Sequence, residues 1–132
     1  MTAHCGDSRV YRLNPENIMW RTQDHSVLQQ KLIRGEITEQ EMGLHPEQNK
    51  LTRSINVGKT HPLEVHSYPV AQTGETFVLC TDGFWEFIKA HEWSELAQPE
   101  CNRDNLVKLA RLAVLRAEGQ SDNVTVQWLR CL

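Results

Sequence analysis

The chain has 132 residues, of which 39% are hydrophobic and 23% are charged. This length is typical of one domain, and this balance of residues excludes a disordered chain. The formal net charge is −3. Without a basic excess, neither nucleic acid nor an acidic membrane surface is expected as a partner.

The four cysteines, Cys5, Cys80, Cys101 and Cys131, are far apart in the sequence. Structural zinc sites need closely spaced thiolates, so this spacing argues against zinc. Scattered cysteines are typical of a reducing compartment. The polar residues after Met1 do not resemble a signal peptide, and no apolar stretch approaches the roughly 20 residues that span a bilayer. We therefore expect a cytoplasmic protein.

The N-terminal region predicts strands. Residues 9–13 alternate between two faces, which favours a strand. The short segment before them is typical of a hairpin arm that has been cut short, so we expect this strand to lack a neighbour. Asn14-Pro15-Glu16-Asn17 is a turn sequence, and residues 18–21 continue as the next strand.

Residues 26–50 predict a small helical insertion between strands. Ser26 is a good N-cap for a first helix, and Gly35 is a natural stop. Thr38 and Glu41 match the capping-box pattern of a second short helix.

The remainder of the chain predicts further strands and helices, which makes the class mixed α+β with mostly antiparallel strands. The predicted strands are 51–55, 63–68, 76–80 and one beginning at Val124; the predicted helices are 84–88, 91–96 and 104–118. The longest helix, 104–118, is predicted because its apolar residues recur at helical spacing.

Three aspartates lie at the ends of predicted strands. Asp82 precedes Gly83, Asp122 precedes Asn123, and Asp7 follows the glycine at position 6. Each aspartate taken alone is more often an ordinary turn residue. Together they indicate a site for a hard cation, because Mg²⁺ and Mn²⁺ prefer carboxylate oxygens held at fixed positions near solvent.

Five longer strings occur in the order found in one protein family. They are Gly6-Asp7-Ser8-Arg9-Val10-Tyr11-Arg12-Leu13, Thr22-Gln23-Asp24-His25-Ser26, Leu51-Thr52-Arg53-Ser54-Ile55, Phe77-Val78-Leu79-Cys80-Thr81-Asp82-Gly83-Phe84-Trp85-Glu86 and Ser121-Asp122-Asn123-Val124-Thr125-Val126. On these strings the chain closely resembles the metal-dependent serine/threonine protein phosphatases of the type 2C (PPM) class. Residues 35–49 resemble the flap of the bacterial members.

The resemblance implies a fold. It is a partial phosphatase-type β-sandwich of the α+β class, with flanking helices and a small helical flap at about 26–50. Residues 1–132 would form the C-terminal portion of a single catalytic domain, with the N-terminal part of the fold missing.

The resemblance also implies roles for the acidic turns. Asp82 and Asp122 would bind a binuclear Mn²⁺ or Mg²⁺ centre, and Asp7 would join Asp82 in holding a third ion. Gly83 would let the chain turn so that Asp82 reaches the metals, and Asn123 would support the loop that carries Asp122.

Asp24 and His25 match a recurrent family motif that leads into the flap. We interpret His25 as a structural or near-substrate residue and not as the general acid, because a lone histidine at a helix start is usually hydrogen-bonded within the structure. The implied activity is hydrolysis of phosphoserine and phosphothreonine in proteins by a metal-activated water. The substrate would be a phosphoprotein, and the opposing enzyme a serine/threonine kinase.

The strings that match come only from the C-terminal half of the family pattern. The family's Asp-Gly-His-Gly motif and its phosphate-binding arginine have no counterpart here. We therefore expect the isolated chain to bind metal weakly and to hydrolyse phosphoesters poorly or not at all. Two alternatives stay open: a truncated or pseudo-phosphatase that binds a partner through an exposed sheet edge, and a gene remnant with no independent role.

Overall fold

A computed structural model describes residues 1–58, 63–120 and 122–132. It divides the chain into two compact units. Unit 1 comprises Met1–Ser8 and Gln23–Tyr68, and unit 2 comprises Arg9–Thr22 and Pro69–Leu132. In the described part of the chain, no helix combines the length and apolar character needed to cross a bilayer.

The strands and helices follow one another in this order: β1 (Thr2–His4), β2 (Arg9–Leu13), β3 (Ile18–Arg21), α1 (Val27–Ile33), α2 (Glu39–Met42), β4 (Glu64–His66), β5 (Thr76–Cys80), α3 (Asp82–Trp85), α4 (Ala90–Glu95), α5 (Arg103–Arg116) and β6 (Val126–Arg130). Every strand pairing among them is antiparallel. The predicted α+β class is confirmed.

Unit 2 contains a four-stranded sheet with the order β3-β2-β5-β6. The register pairs Arg9 of β2 with Cys80 of β5, and Cys80 with Val126 of β6. The expectation that the strand at 9–13 lacks a neighbour is wrong, because β2 lies in the interior of the sheet with β3 on one side and β5 on the other. The edges of this sheet are β3 and β6.

The core of unit 2 lies between one face of this sheet and helices α3, α4 and α5. Alternate residues of β2 and β5 point to this face, as the period of a strand requires. The buried members of the core are Tyr11, Leu13, Val78, Cys80, Phe84, Trp85, Ile88, Trp93, Leu96, Ala97, Cys101, Leu109 and Ala113. Helix α5 begins at the N-cap Asn102, whose side chain accepts hydrogen bonds from the N–H groups of Asp104 and Asn105.

Unit 2 also buries an ion pair on the other face of β2. Arg12 donates from Nε to Glu75 Oε2 at 2.9 Å, and its remaining nitrogens donate to the carbonyl groups of Pro69 and Val70. The two charged side chains are 4% and 8% exposed. Because the guanidinium bonds to three partners, its burial is compensated.

Unit 1 contains the two-stranded sheet of β1 and β4, in which His4 is paired with Glu64. Ser26 caps α1 as predicted, accepting a hydrogen bond from the Gln29 N–H at 3.1 Å. The Glu41 carboxylate accepts from the Thr38 N–H at 2.7 Å, which confirms the predicted start of α2. The strand predicted at 51–55 is wrong, since this segment forms only a single bridge between Ser26 and Leu51.

Candidate metal centre

Strand pairing in unit 2 places two acidic turns at the same end of the sheet. Strands β5 and β6 are antiparallel neighbours, and the pair Cys80–Val126 lies at that end. Asp82 follows Cys80 by two residues, and Asp122 precedes Val126 by four. The two aspartates therefore leave the sheet at one place although they are far apart in sequence. Ser121, the first residue of the second turn's string, lies outside the described residues.

Gly83 is the point at which the two turns touch. A Cβ atom built there would lie 2.9 Å from the Asp122 carbonyl oxygen and 3.0 Å from that of Asn123. Gly83 is a buried residue within α3 and does not have a positive φ. It is a glycine because the backbone of the second turn passes too close for any side chain. Its predicted role, letting the chain turn so that Asp82 reaches the metals, stays a prediction.

Thr81 ties the same two turns by hydrogen bonds. Its hydroxyl donates to the Asn123 carbonyl at 3.1 Å and accepts from the Thr125 N–H at 3.0 Å. Its own N–H donates to the Thr125 carbonyl at 3.1 Å, which extends the β5–β6 ladder by one step. Sequence reasoning did not single out Thr81. The available signal was a hydroxyl-bearing residue directly before the aspartate, at the end of an apolar strand.

Each aspartate in unit 2 also bonds to the residue after it. Asp82 is the half-buried first residue of α3, and its Oδ1 accepts from the Gly83 N–H at 2.8 Å. Asp122 is exposed, and its Oδ1 accepts from the Asn123 N–H at 2.6 Å. The backbone N–H of Asn123 therefore bonds to the side chain of Asp122. The supporting role of Asn123 stays a prediction.

These two carboxylates suit a hard divalent cation by their chemistry, but they are not a complete set of ligands. Mg²⁺ needs six oxygen ligands in a near-octahedral arrangement. In residues 1–58, 63–120 and 122–132, no group of three or more histidine, cysteine, aspartate or glutamate side chains is placed to hold a metal ion. By their chemistry Asp82 and Asp122 would suit part of such a site, and a complete site would need ligands in addition to these two.

Asp7 belongs to unit 1, in the bend that follows β1. The preceding Gly6 has a φ of +107°, which disfavours any other residue there. Gly6 exchanges two hydrogen bonds with His25: its N–H donates to Nδ1 at 3.1 Å, and its carbonyl accepts from the His25 N–H at 2.9 Å. The role of Asp7 as a ligand of a third ion stays a prediction.

His25 is buried within unit 1. Its Nε2 lies 2.8 Å from Glu64 Oε2, and its ring stacks on His4 with centroids 4.7 Å apart. Hydrogen bonds from His66 and from His25 lower the pKa of Glu64 to about 2, so this carboxylate is ionised at neutral pH. The interpretation of His25 as a structural or near-substrate residue stays a prediction.

Asp24, the residue before His25, is 5% exposed. Its N–H donates to Gln29 Oε1 at 3.3 Å, which links it to the first turn of α1. Asp24 and His25 therefore lie at a junction between the N-terminal segment of unit 1 and its helices.

Comparisons with known proteins identify relatives of this chain, although no family model matches it. Over 94% of its length the chain is 34% identical to a protein of Listeria innocua named serine/threonine phosphatase stp, and this match covers 48% of that relative. The chain therefore spans about half the length of the curated relatives that it matches.

Solved structures agree with these relatives. The PPM Ser-Thr phosphatase MsPP of Mycobacterium smegmatis matches 98% of this chain with a TM-score of 0.80 and 26% identity, over 55% of its own length. The catalytic domain of the serine/threonine phosphatase PstP, solved with two manganese ions, matches 94% of this chain with a TM-score of 0.66, 29% identity and 50% of its own length. The family resemblance and the fold are thus confirmed over this chain.

Proposed function

We propose that this chain, which is a homologue of the bacterial PPM serine/threonine phosphatases over about half of their length, carries part of the metal centre of such an enzyme. The complete protein would hydrolyse phosphoserine and phosphothreonine in proteins and would oppose a serine/threonine kinase. The single observation that carries this proposal is the contact of Gly83 with the backbone of Asp122 and Asn123, which joins the two acidic turns.

The chemistry of the turns supports Mn²⁺ or Mg²⁺ as the cofactor. When bound, such ions supply a water of lowered pKa and neutralise charge on phosphoryl oxygens. Asp82 and Asp122 would each contribute a carboxylate to this centre, and Asp7 would contribute to a third ion. Thr81 and Gly83 hold the two turns of unit 2 in contact through backbone groups, so the contact between the turns does not require the cation.

Two carboxylates are too few for tight binding of a hard cation, because water alone fills the remaining positions at low affinity. The isolated chain would therefore bind Mn²⁺ weakly and turn over phosphopeptide slowly or not at all. The lack of a third suitable side chain in the described residues favours, as a second candidate, a non-catalytic module that binds a partner. The cytoplasmic location stays a prediction.

The test uses the purified chain with Mn²⁺ and a phosphothreonine peptide. It is assayed alone and mixed with a separately expressed segment of the Listeria innocua phosphatase that includes the part outside the match. Asp82→Asn and Asp122→Asn are the test variants. Asp104→Asn is the matched control, since Asp104 is an exposed aspartate in the first turn of α5 and the charge change is the same.

Activity is expected only in the mixture. It should fall by roughly 100-fold or more in either test variant, because losing a direct ligand costs more than the 10- to 100-fold typical of second-shell partners. The control should match the unmodified chain. A mixture in which Asp82→Asn keeps full activity would overturn the metal role, and a mixture that associates without activity would support the binding module.

A further inference from the structure

His25 makes two hydrogen bonds to the turn that carries Asp7, one from its ring and one from its backbone. His25 bonds to both polar backbone groups of Gly6, accepting from its N–H at Nδ1 and donating to its carbonyl from its own N–H. Gly6 is buried, and these two bonds restrain its backbone. The direction in which Asp7 leaves this turn is therefore coupled to the His25 ring.

The His25 ring is itself fixed in one tautomer. Because Nδ1 accepts the Gly6 N–H, Nδ1 carries no proton, and the proton of the neutral ring must be on Nε2. Nε2 then donates to Glu64 Oε2, 2.8 Å away. The ring is 6% exposed and lies nearly parallel to that of His4, with an interplanar angle of 11°. Few other orientations are open to it.

Glu64 is held from several directions. It is the cross-strand partner of His4 in the β1–β4 sheet, and its Oε1 lies 2.6 Å from His66 Nε2. Arg53 Nη1 is 3.7 Å from Oε2. A carboxylate with this many partners is a firm acceptor for the histidine proton.

We infer that His25 is a positioning residue for Asp7: Glu64 fixes its tautomer and orientation, and its Nδ1 fixes the Gly6 backbone so that Asp7 is presented to a divalent cation. This inference rests on the proposed function, because it takes Asp7 as a metal ligand. A rigid ring with an acceptor at one end and a donor at the other suits this task, in the way that outer partners orient the ligands of metal sites.

Two variants separate the ends of the ring. His25→Asn keeps an acceptor close to the position of Nδ1 and removes the contact with Glu64. His25→Gln places an amide nitrogen near the position of Nε2 and removes the acceptor for Gly6. His66→Gln is the matched control, because it changes the other histidine partner of Glu64 and leaves the bonds between His25 and Gly6 in place.

The experiment is NMR on the full chain. In the unmodified chain, the ¹⁵N spectrum of the His25 ring should show a bare Nδ1 and a protonated Nε2. Exchange of the Gly6 amide should be roughly 5- to 10-fold faster in His25→Gln, which is the factor for an ordinary hydrogen bond. It should stay within about 2-fold of the unmodified chain in His25→Asn and His66→Gln.

Mn²⁺ titration provides the second measurement. Paramagnetic broadening of the Asp7 amide should weaken in His25→Gln and in Asp7→Asn, and should persist in His66→Gln. A proton on Nδ1 in the unmodified chain would overturn the positioning role even if a variant failed to fold, and so would unchanged Gly6 exchange in His25→Gln. If Mn²⁺ broadens the amide signal of residue 7 equally in the unmodified chain and in Asp7→Asn, Asp7 is not a ligand. The result on the hydrogen bond between His25 and Gly6 would not be affected.

Discussion

Replacing Gly83 by alanine tests whether the contact between the two acidic turns shapes this end of unit 2. The added Cβ would lie 2.9 Å from the Asp122 carbonyl oxygen and 3.0 Å from that of Asn123. Both atoms belong to the backbone, so no side-chain rotation can relieve the overlap. The second turn must move away from α3, and the hydrogen bonds that Thr81 makes to it must lengthen.

Two effects of opposite sign set the size of the change. Gly83 lies within α3, and alanine is favoured over glycine in a helix by up to about 1 kcal/mol. Forcing extra volume into a packed site costs about 1–3 kcal/mol. The steric term is the larger, and we expect Gly83→Ala to lower the free energy of unfolding by about 1–2 kcal/mol.

The measurement is urea unfolding followed by far-UV circular dichroism, where a loss of this size lowers the midpoint by roughly 0.5–1 M. Gly58→Ala is the control. Among the described residues, a Cβ at Gly58 would meet only the Asn56 Oδ1 side-chain atom at 3.6 Å, so the free energy of unfolding of this control should change by no more than about 0.5 kcal/mol. A midpoint for Gly83→Ala at or above that of the unmodified chain would refute the reasoning, since helix propensity would then outweigh the contact.

Three further predictions follow from other contacts. Thr81→Val keeps the shape of the side chain and removes its hydroxyl, so it should lower the free energy of unfolding by about 1 kcal/mol. It should also speed hydrogen exchange of the Thr125 amide, which donates to that hydroxyl. Unchanged exchange would contradict the hydrogen bond between the two turns. Arg12→Met leaves Glu75 buried without its ion-pair partner and should lower the free energy of unfolding by about 3–5 kcal/mol. The double variant with Glu75→Leu should recover most of this loss. If the losses of the two single variants instead add in the double variant, the two side chains are not coupled. Two histidine partners lower the pKa of Glu64 from 4.5 to about 2, so its contribution to stability is complete above pH 4.5 and is lost as the pH falls to about 2. The difference in free energy of unfolding between the unmodified chain and Glu64→Gln should therefore disappear over that pH range. A difference that stays constant with pH would contradict this origin of the stabilisation.

Much of the local structure could be predicted from the sequence because its signals lie within a few residues. The alternation in β2 and β5 and the cap at Ser26 are of this kind. The pairing of β1 with β4 could not be predicted, because these strands are about 60 residues apart and each is only three residues long. The strand predicted at 51–55 was wrong for a related reason. The apolar residues of this segment favour a strand, but the sequence does not show that the segment has no sheet partner among the described residues beyond one bridge.

The candidate site likewise combines features with local sequence signals and contacts between residues far apart in sequence. Asp82 and Asp122 were predicted as ligands from short strings, and the β5–β6 register explains why their two turns lie at the same end of the sheet. The contact that requires Gly83 and the hydrogen bonds of Thr81 depend on two backbones about 40 residues apart in sequence, so no local pattern encodes them. The partnership of His25 with Glu64 also joins residues far apart in sequence, 39 positions in this case.

The contacts that join the two acidic turns separate the folding of this region from the binding of a cation. Thr81 and Gly83 contact uncharged backbone groups of the second turn, and Asp122 itself is exposed to solvent. Small zinc domains behave differently, since metal binding supplies their folding energy and chelators unfold them. Here the chain should stay folded with a chelator present, so any gain in Mn²⁺ affinity on adding the rest of a relative would measure added ligands and not induced folding.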